Sequence, residues 1–132
     1  MKAIASLLVL GILGLSGIDA WAEEVQLETL LKSQLAKVEG TEIIVSRVTI
    51  PPNTSLPKHW HPGEEFAYVL AGRVNLWQEG ESDVSAVEGD AMQVPLEKVH
   101  TAITGPEGVT LLVFRVHEQG KPERVLADGP DK

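Results

Sequence analysis

The sequence predicts an all-β fold, a single sandwich or barrel, and three observations carry that prediction. The apolar runs are short and rich in Val and Ile. Gly and Pro interrupt them at intervals too brief for helices. No stretch supports a long helix with a start and a stop signal of its own. With 132 residues, 43% of them hydrophobic and 23% charged, the chain is sufficient for one packed core, and it shows no internal repeat or low-complexity tract.

Met1 to Ala22 has the features of a cleaved export signal. Lys2 precedes an apolar run from Ala3 to Ile18, and Ala20-Trp21-Ala22 supplies the small-x-small pattern of a cleavage site. A run interrupted by Gly11, Gly14 and Gly17 is short for a membrane span, so no stable membrane anchor is expected after cleavage. Lys2 and Asp19 cancel, and the remaining chain keeps the net charge of −8. Such a surface repels phosphate backbones and argues against a nucleic-acid partner. Cysteine is absent, so an exported domain of this size must depend on its core, helped by a metal or a second subunit. The periplasm fits these features, or secretion.

The next segment, residues 23–41, reads as an N-terminal arm. Leu27, Leu30, Leu31, Leu35 and Val38 allow a helical stripe, but no cap precedes them and Gly40 closes the run, so a short helix and a strand with a loop both remain open. The barrel proper is placed at residues 42–117. Glu42 to Ile50 is rich in β-branched residues and bounded by Gly40 and Pro51-Pro52, which predicts a strand, and Asn53-Thr54-Ser55 a turn. Phe66 to Leu70 predicts another strand, turned at Gly72 into a hairpin with Arg73 to Gln78. Residues 79–90 are an acidic connection around a short strand at Val84 to Val87. Ala91 to Val94 ends at Pro95, Val99 to Ile103 follows, and Val109 to Val116 is apolar on both faces except Thr110 and Arg115, as a central strand should be. The tail, residues 118–132, is polar and expected to be extended and partly mobile.

Chemistry concentrates at His59-Trp60-His61-Pro62-Gly63-Glu64-Glu65, in a chain with four histidines. On a strand His59 and His61 project from one face and Trp60 from the other. Pro62-Gly63 is a turn signal that can bring Glu65 back beside them. Two imidazoles and a carboxylate suit a divalent transition metal. Asn53 to Gly72 then resembles the first motif of the cupins, with His59, His61, Glu65 and Gly72 on its spacing and Asn53 in place of its first glycine. Gly89 to Thr104 resembles the second motif, with Gly89, Pro95 and His100 in place, Glu97 at its second glycine and Thr104 at its asparagine.

The resemblance implies a cupin β-barrel, the jelly-roll-like double-stranded β-helix, holding one metal ion (Fe, Mn, Ni, Cu or Zn) through His59, His61, Glu65 and His100. It also implies a small metal-dependent enzyme of dioxygenase, isomerase or lyase type, acting on a small oxygen-rich molecule. A non-catalytic metal- or ligand-binding protein is the alternative, because one fold hosts many functions. No general acid or base can be named: strand parity turns Tyr68 outward, and Glu64 points away or lies in the turn. His117 lies outside both motifs and reads as an ordinary surface residue. If Glu65, Ala67 and Val69 face inward, Phe66, Tyr68 and Leu70 face outward, and that apolar face predicts a homodimer unless the tail or the arm covers it.

Overall fold

The computed structural model describes residues 23–129 and contains, among them, eight strands and no helix. Two long strands organise the rest: β4 (Gly63–Gln78) and β7 (His100–Glu118) pair antiparallel along nearly their whole length. On the other edge of β7, β2 (Thr41–Ile50) pairs with residues 109–118. Beyond the end of β2, that edge is taken by β3 (His59–Trp60), to which β8 (Val125–Leu126) adds. The free edge of β4 carries β5 (Val84–Val87) on its second half and β6 (Ala91–Val94) on its first. β1 (Gln26–Gln34) lies outside β2. The sheet curls on itself, and Val48, Ile50, Val69, Val74, Leu111 and Val113 fill its interior. The all-β expectation is met.

The open reading of the arm resolves to a strand. No cap is available to satisfy the first N–H groups of a helix, whereas β2 offers a ladder of backbone partners, and Thr29 to Leu31 takes up a bulge in the pairing.

The hairpin expected at Gly72 does not form. Residues on both sides of Gly72 belong to the single strand β4, and the glycine sits in a bulged corner, with register shifts at Val69/Ala71 and Gly72/Val74. Its φ of +83° lies in the left-handed region, and a Cβ there would run into the carbonyl oxygen of Gly108. The bulge also explains why Val69 and Val74, an odd number of residues apart, are both buried (0% and 1% exposed). Strict alternation would put them on opposite faces. The chain reversal comes later, where residues 79–83 join β4 to β5 through Gly80. Likewise, the two strands expected at residues 99–103 and 109–116 form one strand, β7.

Both departures from the glycines of the motifs keep the glycine backbone. Asn53 has φ +52° and Glu97 φ +56°. Asn53 tolerates this conformation well, and its turn is pinned by Thr104, whose Oγ1 donates to the Pro51 carbonyl at 2.6 Å and accepts from the Thr54 N–H at 3.0 Å. Glu97 is held there without that excuse. Its side chain is exposed, so Glu97→Gly should relieve strain and raise stability by about 1 kcal/mol, with a rise in melting temperature of ~4 °C. A calorimetric melt checks this, and an unchanged or lower midpoint would refute it.

Candidate metal centre

His59 and His100 are brought together by register. They are direct cross-strand partners of β3 and β7, with ring centroids 4.4 Å apart. His61, two residues on, projects from the same face, its ring 4.9 Å from His59 and 5.1 Å from His100. All three are buried, and their ligand nitrogens lie within 4.8 Å of one another, so the group could hold a metal ion. Gly63 then lets the chain pass tightly against the backbone of Val116, where a side chain would collide with its carbonyl. Two residues later Glu65 enters the same cluster, with Oε2 3.0 Å from His61 Nε2 and Oε1 4.0 Å from His100 Nε2.

The second nitrogen of each ring fixes its tautomer. His59 Nδ1 faces the Pro57 carbonyl at 2.7 Å, His100 Nδ1 the Lys98 carbonyl at 2.9 Å, and His61 Nδ1 the Glu123 carbonyl. A carbonyl only accepts, so each Nδ1 carries the proton and, in the neutral ring, each Nε2 keeps its lone pair toward the cluster. His61 Nε2 is buried without a formed hydrogen bond, although a carboxylate oxygen stands 3.0 Å away. A proton on Nε2 would join the pair as a hydrogen bond, and 3.0 Å is also the spacing of two ligand atoms at right angles about an ion with bonds of ~2.1 Å. The donor set therefore fits a transition metal.

Glu65 is also the direct cross-strand partner of Arg115 on β7, whose Nε donates to its Oε2 at 2.7 Å. Burial works to raise the pKa of this carboxyl, but the facing His61 imidazole and the Arg115 guanidinium outweigh it and hold it well below the usual carboxylate range. Glu65 is thus an anion at the site. Burial pushes His59 down to about 4, with the neighbouring imidazoles adding to the effect and the Pro57 carbonyl opposing it, and burial likewise lowers His100.

These shifts predict an acid limit for the metal-free protein. A histidine kept neutral in the fold binds its proton more readily when unfolded, so stability is full above pH 6.5 and falls as pH drops toward 4. His59 alone accounts for a loss of up to about 3 kcal/mol. Glu65 adds a further loss below about pH 4.5, because its folded pKa is depressed. Denaturant melts between pH 7 and 4 should show this decline, and a flat profile would contradict it.

The remaining side chains divide clearly. Tyr68 and Glu64 point outward and are exposed, as parity requires. His117 corrects the expectation of a surface residue: it is 1% exposed, and its Nε2 faces the Lys121 carbonyl at 3.0 Å. It pairs across β7 with Glu42 and Gly63, deep in the sheet, because β7 continues past the Val116 at which the apolar run ends. The tail also departs from expectation, since its described part docks on the site. Val125–Leu126 pairs with Trp60 and His59, Ala127 N–H donates to the Lys58 carbonyl at 2.9 Å, and Glu123 supplies the carbonyl that orients His61. Backbone carbonyls carry no side-chain signature, so sequence reading misses that role. It also misses Arg115, whose only signal is a lone charge within the most apolar strand.

A small cavity of about 60 Å³ lies inside the barrel, polar at His59, Glu65, His100 and Arg115 and apolar elsewhere, as at Ile50 and Leu76. The family model described as the cupin domain matches residues 46–115, which contain His59, His61, Glu65, His100 and Arg115.

The chain is a cupin.

Solved structures agree with the fold. The DMSP lyase DddQ from Ruegeria pomeroyi DSS-3 superposes with a TM-score of 0.61 at 26% identity, over 66% of this cupin and 45% of the lyase, so this chain spans under half of that protein. A cupin-like protein from Thermotoga maritima gives 0.61 at 20% identity, covering 77% of this chain and 74% of that one. The polyketide cyclase RemF from Streptomyces resistomycificus gives 0.57 at 20% identity, with 76% and 82% covered. No curated protein matches the cupin sequence.

Proposed function

We propose that this cupin is a small exported metal-dependent enzyme that binds a divalent transition ion through His59, His61, His100 and Glu65 and acts on a small oxygen-rich molecule. The observation that carries the reading is the set of three clustered imidazoles with Nδ1 tied to backbone carbonyls, two of which turn Nε2 toward one anionic carboxylate. A divalent ion held there would supply Lewis acidity toward an oxygen ligand, or redox chemistry if it is iron or copper. The chain's own residues do the rest. The His61 imidazole and Arg115 hold Glu65 as a charged ligand rather than a proton donor, against the effect of burial, and the cavity walls beyond the cluster are largely apolar. Among dioxygenase, isomerase and lyase chemistry, the likeness to the DMSP lyase supports the lyase branch.

Export and pairing belong to the same proposal. The export signal, Met1 to Ala22, lies outside the described residues. For the dimer, Phe66, Tyr68, Leu70 and Phe114 are 39%, 45%, 39% and 43% exposed with both the arm and the docked tail in place, so neither covers that face. Phe66 and Phe114 are cross-strand partners, and the resulting apolar patch suits a second copy. The exported protein should begin at Glu23 by mass spectrometry and show a dimer mass by light scattering; an intact Met1 or a monomer would remove the corresponding part.

Metal analysis of untagged protein purified from its own export compartment, followed by assay of that protein on diketones, flavonols, uronic acids and small lyase substrates, tests the function. One equivalent of transition metal with turnover is expected. Stoichiometric metal with saturable binding and no turnover would favour a non-catalytic cupin, and absence of metal would overturn the reading.

A further inference from the structure

Arg115 is more deeply buried than its pairing explains. Its side chain is 8% exposed, yet only Nε is used, in the 2.7 Å bond to Glu65. A guanidinium carries five N–H donors in a planar fork. Among the described residues the other acidic neighbour is Glu123, whose Oε2 lies 3.8 Å from Nη1, beyond hydrogen-bond distance. Four N–H groups therefore have no protein acceptor, and because neither Nη is sealed in the interior they are open to a ligand or to solvent.

Those donors face open space. Arg115 lines both the inner cavity and a larger vestibule of about 420 Å³ that opens from the barrel mouth. His59 also lines both, so the vestibule leads directly to the imidazole cluster. Its lining is divided: Val25, just before β1, Leu27 on β1, Val48 and Leu56 are apolar, and Glu123 and Arg124 join His59 and Arg115 on the polar side. In a chain of net charge −8, this mouth brings two arginines together against one acidic side chain, Glu123. The inner cavity has room for about two water molecules. Only the tip of a ligand can enter it, and the body must lie in the vestibule.

We propose that Arg115 is the anchor for a carboxylate on the substrate, and that the vestibule takes a small monocarboxylate with a short apolar body. A planar carboxylate accepts two parallel N–H bonds from a guanidinium, and the unused edge of Arg115 offers that fork next to the three histidines. The apolar side accommodates a few carbons, and Arg124 adds attraction at the entrance. Glu123 takes part as a competitor. Its carboxylate, 37% exposed, is the nearest anion to the free edge and is displaced when the ligand binds. This inference names the substrate class for the function proposed above, but its anchor is a side chain of the protein, present with or without an ion.

Calorimetric titration with butanoate and with its neutral isostere butanamide tests it, on protein as purified and after chelation. Butanoate should bind at least ten-fold more tightly than butanamide in both preparations. Glu123→Gln, an exposed substitution that spares the fold, should tighten butanoate several-fold and leave butanamide unchanged. Arg115→Lys keeps the charge beside Glu65 but loses the fork, and should remove most of the preference. Equal binding of the two probes, or a Glu123→Gln protein with an unchanged preference, overturns the proposal. Absence of metal in the purified protein would instead defeat the metal reading and leave the chelated titration as a valid test of Arg115.

Discussion

Glu65→Gln should lose metal and stability together. The three imidazoles are neutral ligands, so this carboxylate is the one group of the proposed set that compensates the charge of a divalent ion. Its replacement should weaken metal binding by at least about 10- to 100-fold, the usual cost of disturbing even an outer partner of a ligand. The same change removes the anion from Arg115 Nε and strands a buried guanidinium. Removing one partner of a buried pair costs about 3 kcal/mol or more, so the metal-free variant should also melt earlier. His117→Ala is the control. It leaves a hole in the sheet and releases the Lys121 carbonyl, so it should lower stability while retaining metal. Metal occupancy after dialysis and melts with and without metal distinguish the two. Full metal in Glu65→Gln combined with loss in His117→Ala would reverse the assignment of the site.

Gly72→Ala should be severely destabilising. The position combines φ +83° with a Cβ direction blocked by the Gly108 backbone, and neither strand can move without breaking the corner that both share. We expect a loss of about 3 to 5 kcal/mol, from left-handed strain plus backbone collision. Gly80→Ala separates the two contributions. Its φ of +76° is nearly the same, but nothing lies near its would-be Cβ, so it should cost only about 1 kcal/mol. Denaturant unfolding of both proteins measures the difference. Equal losses would mean that the corner is not the tight contact described.

The same corner shows where sequence reading succeeds and where it stops. Glycine after an alternating run is the signal for a hairpin, and a turn at Gly72 was the expectation; the structure has instead a left-handed corner with no room for a side chain. What the sequence could not decide is whether the strand reverses or bends, because that depends on Gly108, which is remote in the chain and opposite in the sheet. Parity nonetheless placed His59, His61 and Glu65 on one inner face, since alternation is a local property of the backbone. His100 needed long-range register to join them, and only the motif spacing pointed to it. Arg115 and the Glu123 carbonyl were illegible for a related reason: their meaning lies in what they face, a carboxylate fifty residues away in one case and an imidazole sixty-two residues away in the other. His117 was misread because the polar residues after it mark the end of the apolar run, whereas β7 continues through it to Glu118 and the tail folds back to cover its ring.

X-ray absorption at the K edge of the metal bound to the purified protein is the most direct test of the site. The proposed centre predicts a shell of three imidazole nitrogens and at least one carboxylate oxygen at about 2.1 Å, with the outer-shell scattering that imidazole rings produce. A shell of oxygen ligands without imidazole scattering would place the ion elsewhere and contradict the assignment of His59, His61 and His100.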